Sequence, residues 1–181
     1  VGDDGWPLPL PLVQRGGTWR FDPAAATQEI VDRRIGRNEL DTIEVLRELV
    51  RAQDDYARTA GRVGALRTYA RRFFSTPGQR DGLYWQTGPD EPESPLGPLA
   101  AAASADGYRT AAQGRPQPYH GYFYRILEGQ GPSAQGGAQD YVADGRMAGG
   151  FAVIAWPARY NNSGIMTFMV NHQGQVYQAN L

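Results

Sequence analysis

Tyr119, His120, Tyr122 and Tyr124 bring one imidazole and three phenols into a single short stretch. A histidine among tyrosines is the residue set of a general base with hydroxyl partners. On a regular strand His120, Tyr122 and Tyr124 would share one face and Tyr119 would point to the other. That row, with Arg125, suits a binding surface. It has no nucleophile and no orienting carboxylate beside it in sequence, both of which a catalytic constellation needs. The plainer reading is a half-exposed aromatic strand. Trp156, Arg159 and Tyr160 follow a nearly continuous apolar run and extend the candidate binding set. Trp156 has two readings: it lines a cleft, or it closes the core beneath the helices. His172 falls in a turn and reads as a surface residue. Two isolated histidines without a carboxylate cluster give no expectation of a metal site.

Other chemistries are excluded by what is missing. The chain has no cysteine, so disulfides, thiolate catalysis and cysteine zinc sites are ruled out. All 18 basic residues are arginine. Schiff-base chemistry and a phosphate-loop lysine are therefore absent. The glycine-rich run GQGPSAQGG lacks the GK[ST] ending and the strand–loop–helix setting of a phosphate loop. Asp140, Asp144 and Gly145 lack the oxygen ladder of a calcium loop. Asn161-Asn162-Ser163 matches the glycosylation sequon, a pattern too short to carry weight. Arg33, Arg34 and Arg37 have acidic neighbours. Arg62, Arg67, Arg71 and Arg72 are less compensated, but the net charge is -1 and a solvated face is the better reading. No nucleic-acid partner, cofactor or transmembrane segment is expected. The enzyme question stays open and leans towards none.

These residues need elements to hold them. From Tyr119 the pattern turns to strands: HGYFYRIL, then an Asp144-Gly145 hairpin, GFAVIAW stopped by Pro157, IMTFMV and QVYQA. An antiparallel meander follows. Before it, Asp22-Pro23 starts a helix predicted to end near Arg34, with Gly36 as its breaker. Asn38 caps a second helix whose Ile43, Leu46, Leu49, Val50 and Tyr56 keep amphipathic spacing. A third is expected over about 65–74, with Leu66, Tyr69, Ala70 and Phe73 on one face. Residues 76–118 read as a loop-rich belt in which Pro98 opens a short helix.

The chain opens VGDDGWPLPLPLVQRGGTWRF. Trp6, Leu8, Leu10 and Leu12 alternate with prolines, which bars a central strand. A segment with no positive region and no unbroken apolar core does not read as a leader. A proline-rich ligand, an edge strand or an extended arm remain, with Thr18 to Phe21 as a return strand. The leucine face calls for burial, against its own sheet or a neighbour's. The fold class expected is α+β, with an arm over 1–22 and one domain over 23–181.

Long blocks add a resemblance. YHGYFYRILEGQGPSAQGGAQDYVADGRMAGGFAVIAWPARYNNSGIMTFMVNHQGQVYQANL, preceded by WPLPLPLVQRGGTWRFD, RRIGRNELDTIEVLRELVRAQDDYA, STPGQRDGLYW and ESPLGPL, resembles a bacterial exported family, domain of unknown function 2950. The resemblance implies a periplasmic or extracellular protein whose relatives carry an export signal and a further N-terminal region, so that this chain starts inside a larger polypeptide. In many relatives the segment after AQDDYA is acidic and glycine-rich. Here it is RTAGRVGALRTYA, so no metal idea carries over. The resemblance brings no activity with it. More weakly, the helix followed by a meander is similar to the soluble domains of type IV pilin-like proteins, without their long apolar N-terminal helix.

Two functions fit. One is an exported structural or interaction protein, self-associating through a sheet edge or through the arm of Trp6, Leu8, Leu10 and Leu12. The other is a small-molecule or glycan-binding module, or a hydrolase, built on the aromatic strand around His120.

Overall fold

The computed structural model describes residues 7–105 and 117–181. The expectation for Trp6 and part of the loop belt lie outside them. The chain forms an α+β fold in which one long helix packs on a four-stranded antiparallel sheet.

Strands β1 (Leu12–Arg15) and β2 (Thr18–Phe21) form a hairpin closed by Gly16 and Gly17. Asp22 then caps helix α1 (Pro23–Arg58), its carboxylate accepting from the Ala24 and Ala25 amides, with Pro23 opening the first turn as its sequence predicts. The helix does not stop at Gly36. It runs on through Asn38 as one element of 36 residues, about 54 Å long. A glycine inside a helix costs only about 1 kcal/mol against alanine, and the tertiary contacts made from Asn38 onward outweigh that.

The core lies where the second half of α1 meets the sheet. Val45, Leu46, Leu49, Ala52 and Tyr56 pack against Tyr122, Ile126, Val153, Ala155, Phe168 and Val170. The sheet order is β12 (Val176–Asn180), β11 (Met166–Asn171), β10 (Ala152–Pro157) and β5 (Tyr122–Leu127), the expected meander.

Between helix and sheet the predicted third helix is absent. Residues 62–67 are instead a small hairpin, β3 (Arg62–Val63) and β4 (Leu66–Arg67), turning at Gly64 with φ +63°. The chain after it is extended: the Tyr69 amide donates to Met147 O at 2.7 Å. Gln53, fully buried on α1, donates to Ala70 O and accepts from the Ala70 amide, both at 2.8 Å. A side-chain amide here substitutes for a neighbouring strand. These partners override a helical spacing of apolar residues.

Helix α2 (Gly97–Ala105) forms at the predicted proline. Two more hairpins pair β6 (Gly129–Gln130) with β7 (Gln139–Asp140) and β8 (Val142–Ala143) with β9 (Arg146–Met147). The second turns at Asp144-Gly145, with φ +49° and +75°, the left-handed pair its sequence signals. No helix among the described residues is long and apolar enough to cross a membrane.

Candidate functional site

The tyrosine row does not line an open face. Strand β5 starts only at Tyr122; His120 and Gly121 form a tight turn with φ +47° and +74°, closed by reciprocal backbone bonds between Tyr119 and Tyr122. Tyr122 and Tyr124 point inward at α1. Tyr122 is fully buried and donates to Met166 O at 2.9 Å. Burial, followed by the Glu39 charge, holds its phenol far above the ordinary range, so it stays a neutral donor. The Tyr124 hydroxyl meets Thr42 Oγ1 at 3.3 Å.

The partner for His120 comes from the helix. Its Nδ1 lies 3.1 Å from Asp41 Oδ2, and its ring leans on Tyr119, tilted by 57°, with centroids 4.1 Å apart. The sequence distance between residues 41 and 120 hid this pairing. The same stretch of α1 supplies Asn38, which donates to Ser163 O at 2.8 Å. It also supplies Glu39, which accepts from the Ile165 and Met166 amides at 2.9 and 3.0 Å. A polar seam thus joins helix, turn and sheet. Glycine is required twice along it. A Cβ on Gly121 would stand 2.6 Å from Asn38 Nδ2, and one on Gly164 would stand 2.0 Å from the Tyr122 hydroxyl.

An imidazole oriented by a carboxylate at Nδ1 has the arrangement of a general base acting through Nε2. The nearby hydroxyl of Ser163 is committed elsewhere: it accepts from the Arg159 amide and donates to Arg159 O. Among the described residues no group of three or more histidines and carboxylates stands ready for a metal ion.

Trp156 lies on the sheet face away from α1, so it does not close the core beneath the helices. It packs on Phe123 with ring centroids 5.9 Å apart and on the Arg125 guanidinium at 6.0 Å. In register, Ile154 and Arg125 are paired, and Met169 lies opposite both Ile154 and Tyr177. This outer face is mostly apolar, with Met169 and Tyr177 exposed. Tyr160 is also exposed and donates to Asn180 Oδ1 at 3.1 Å. The eight residues predicted for binding therefore divide among the buried seam, the outer face and the 159–164 turn. Arg71 and Arg72, read as poorly compensated, find Glu128 and Asp81.

The arm shows a reversal. Leu8, Leu10 and Leu12 are exposed, while Pro9 and Pro11 are half-buried. Regular strand begins only at Leu12. Pro7 O accepts from Arg33 of α1 at 2.6 Å and Pro11 O from the Asp22 amide at 2.9 Å, which ties the arm to its own helix through backbone carbonyls. On the hairpin, Leu12 faces Phe21 and Gln14 faces Trp19, so the three apolar residues share one face. They are 52%, 55% and 60% exposed.

The family model described as "Protein of unknown function (DUF2950)" matches residues 1–181. No curated protein and no solved structure matches the chain.

Proposed function

The chain belongs to the DUF2950 family, whose description carries no activity, and we propose that it is an exported, self-assembling interaction protein. The apolar hairpin face of Leu12, Trp19 and Phe21 carries this reading. Soluble monomers seldom leave contiguous large apolar side chains in water, and such patches mark protein contacts. Aromatic residues are the side chains that anchor such contacts. The chain also carries an apolar surface able to receive the arm: the outer sheet face of Phe123, Ile154, Trp156, Met169 and Tyr177. The arm is held to its own helix through carbonyls, which leaves its leucines and aromatics turned outward for a second copy. Export rests on the family resemblance, and cell fractionation checks it.

A photo-crosslinker replacing Trp19 in the full chain tests the arm. Joining to the Trp156 face of a differently labelled copy is expected. Adducts confined to the same copy, or none, would overturn the reading.

The 3.1 Å His120–Asp41 pair favours a second reading, a small-molecule site at the helix–turn seam. His120→Ala should then abolish retention of a ligand from a metabolite or glycan screen. Unchanged retention would remove that reading.

A further inference from the structure

We infer that strand β12 is a second, separate self-association surface, pairing antiparallel with β12 of another copy about a two-fold axis at Gln178. The hydrogen-bond parity of the sheet gives the geometry. The Asn171 amide donates to Gln175 O at 3.2 Å, so that pair is hydrogen-bonded across β11 and β12. Alternation along the same register makes Met169–Tyr177 and Thr167–Ala179 the next bonded pairs. Val176, Gln178 and Asn180 therefore turn their amides and carbonyls outward. The Val176 carbonyl accepts from its neighbour's side chain, Gln175 Nε2, at 3.2 Å, in keeping with that outward direction, and keeps a second lone pair for a partner strand. Among the described residues no strand pairs with that edge.

The two edges of the sheet differ in protection. At β5 the Ala158 amide donates to Gly121 O, which sets the even-numbered residues of that strand outward. Tyr122 then exchanges both its groups with Tyr119, and Glu128 O, just past the strand, accepts from the Tyr141 amide at 2.8 Å. Arg125 adds a charge midway. Edge strands are commonly blunted by charge, proline, bulges or cover. Residues 176–180, VYQAN, hold no charge and no proline, and four of the five are exposed.

The strand also fits itself. With Gln178 on the two-fold, Val176 meets Asn180, Gln178 meets Gln178 and Asn180 meets Val176. These are three pairs of outward residues, each able to exchange two backbone bonds. Between them Tyr177 stands opposite Ala179, large against small, with no like charges facing. A two-fold contact of this kind closes on itself, so it yields a dimer with one continuous eight-stranded sheet and both helices on the same side.

The contact uses no residue of the arm, and it is tested in the full chain with the arm disabled by Trp19→Ser and Phe21→Ser. That variant should still sediment as a dimer. Adding Gln178→Arg, or separately Gln178→Glu, should give monomers, because identical charges then face each other on the axis. An equal mixture of the two should recover the dimer. In a chain with no native cysteine, Gln178→Cys should oxidise to a covalent dimer, since paired Cα atoms there stand roughly 5.5 Å apart. A dimer indifferent to the Gln178 charges, a mixture that stays monomeric, or an arm-disabled chain that is already monomeric would overturn the inference. The last result leaves the arm reading standing. Assemblies larger than a dimer that the arm substitutions leave unchanged, and that collapse with Gln178→Arg, would instead remove the arm reading and keep this one.

Discussion

Gln53 shows how much a single polar residue does here. It is fully buried on the core face of α1 and bonds both backbone groups of Ala70. Gln53→Leu keeps the volume and strands two buried backbone groups, so chemical denaturation should show a loss of about 2–5 kcal/mol. A loss under about 1 kcal/mol would mean that residues 68–71 are held by other contacts. Asp81 makes a pH-dependent point. The Thr76 amide bonding to its carboxylate, with the Thr76 hydroxyl and Arg72, holds the Asp81 carboxyl below its usual range. Arg71 does the same for Glu128. A depressed folded-state value means stability that is present above the unfolded carboxyl range and lost as pH falls through the folded one. Melting followed below about pH 4 should show that loss, and Asp81→Asn with Glu128→Gln should flatten it.

At the scale of the element, α1 departs from what its residues suggest. Gly36 reads as a stop, yet its Cβ position is open space and the helix passes through it. Gly36→Ala should therefore raise stability by about 0.5–1 kcal/mol in thermal or denaturant unfolding. A destabilised variant would mean that the helix does break there. Gly164→Ala should do the opposite, because the added methyl meets the buried Tyr122 ring. Much of the helix was legible: the Asp22-Pro23 start and the Leu46, Leu49, Tyr56 stripe appear where the pattern puts them. Two signals in that stripe were open to reading. Thr42 lies four residues before Leu46 and Gln53 four after Leu49, so both sit in the apolar register, and both are fully buried. The stretch over 65–74 was not legible, because its extended state depends on Gln53 and Met147, far away in sequence. The His120–Asp41 pair was hidden in the same way.

For the whole molecule, the run of strands after Tyr119 and the turn at Asp144-Gly145 follow from local residue chemistry, which is why the α+β class was readable. Which surfaces stay open is a tertiary property. Alternation predicted that the leucines of PLPLPL would seek burial. The structure turns their side chains out and secures the segment by carbonyls instead. That outward face, beside an apolar sheet surface and an unguarded β12, makes assembly the central claim. Light scattering on the full chain across a concentration series tests it most directly. The account predicts a mass that climbs above the monomer with concentration and falls back towards a dimer when Trp19→Ser and Phe21→Ser are introduced. A chain that stays monomeric at every concentration, with those substitutions making no difference, would contradict it.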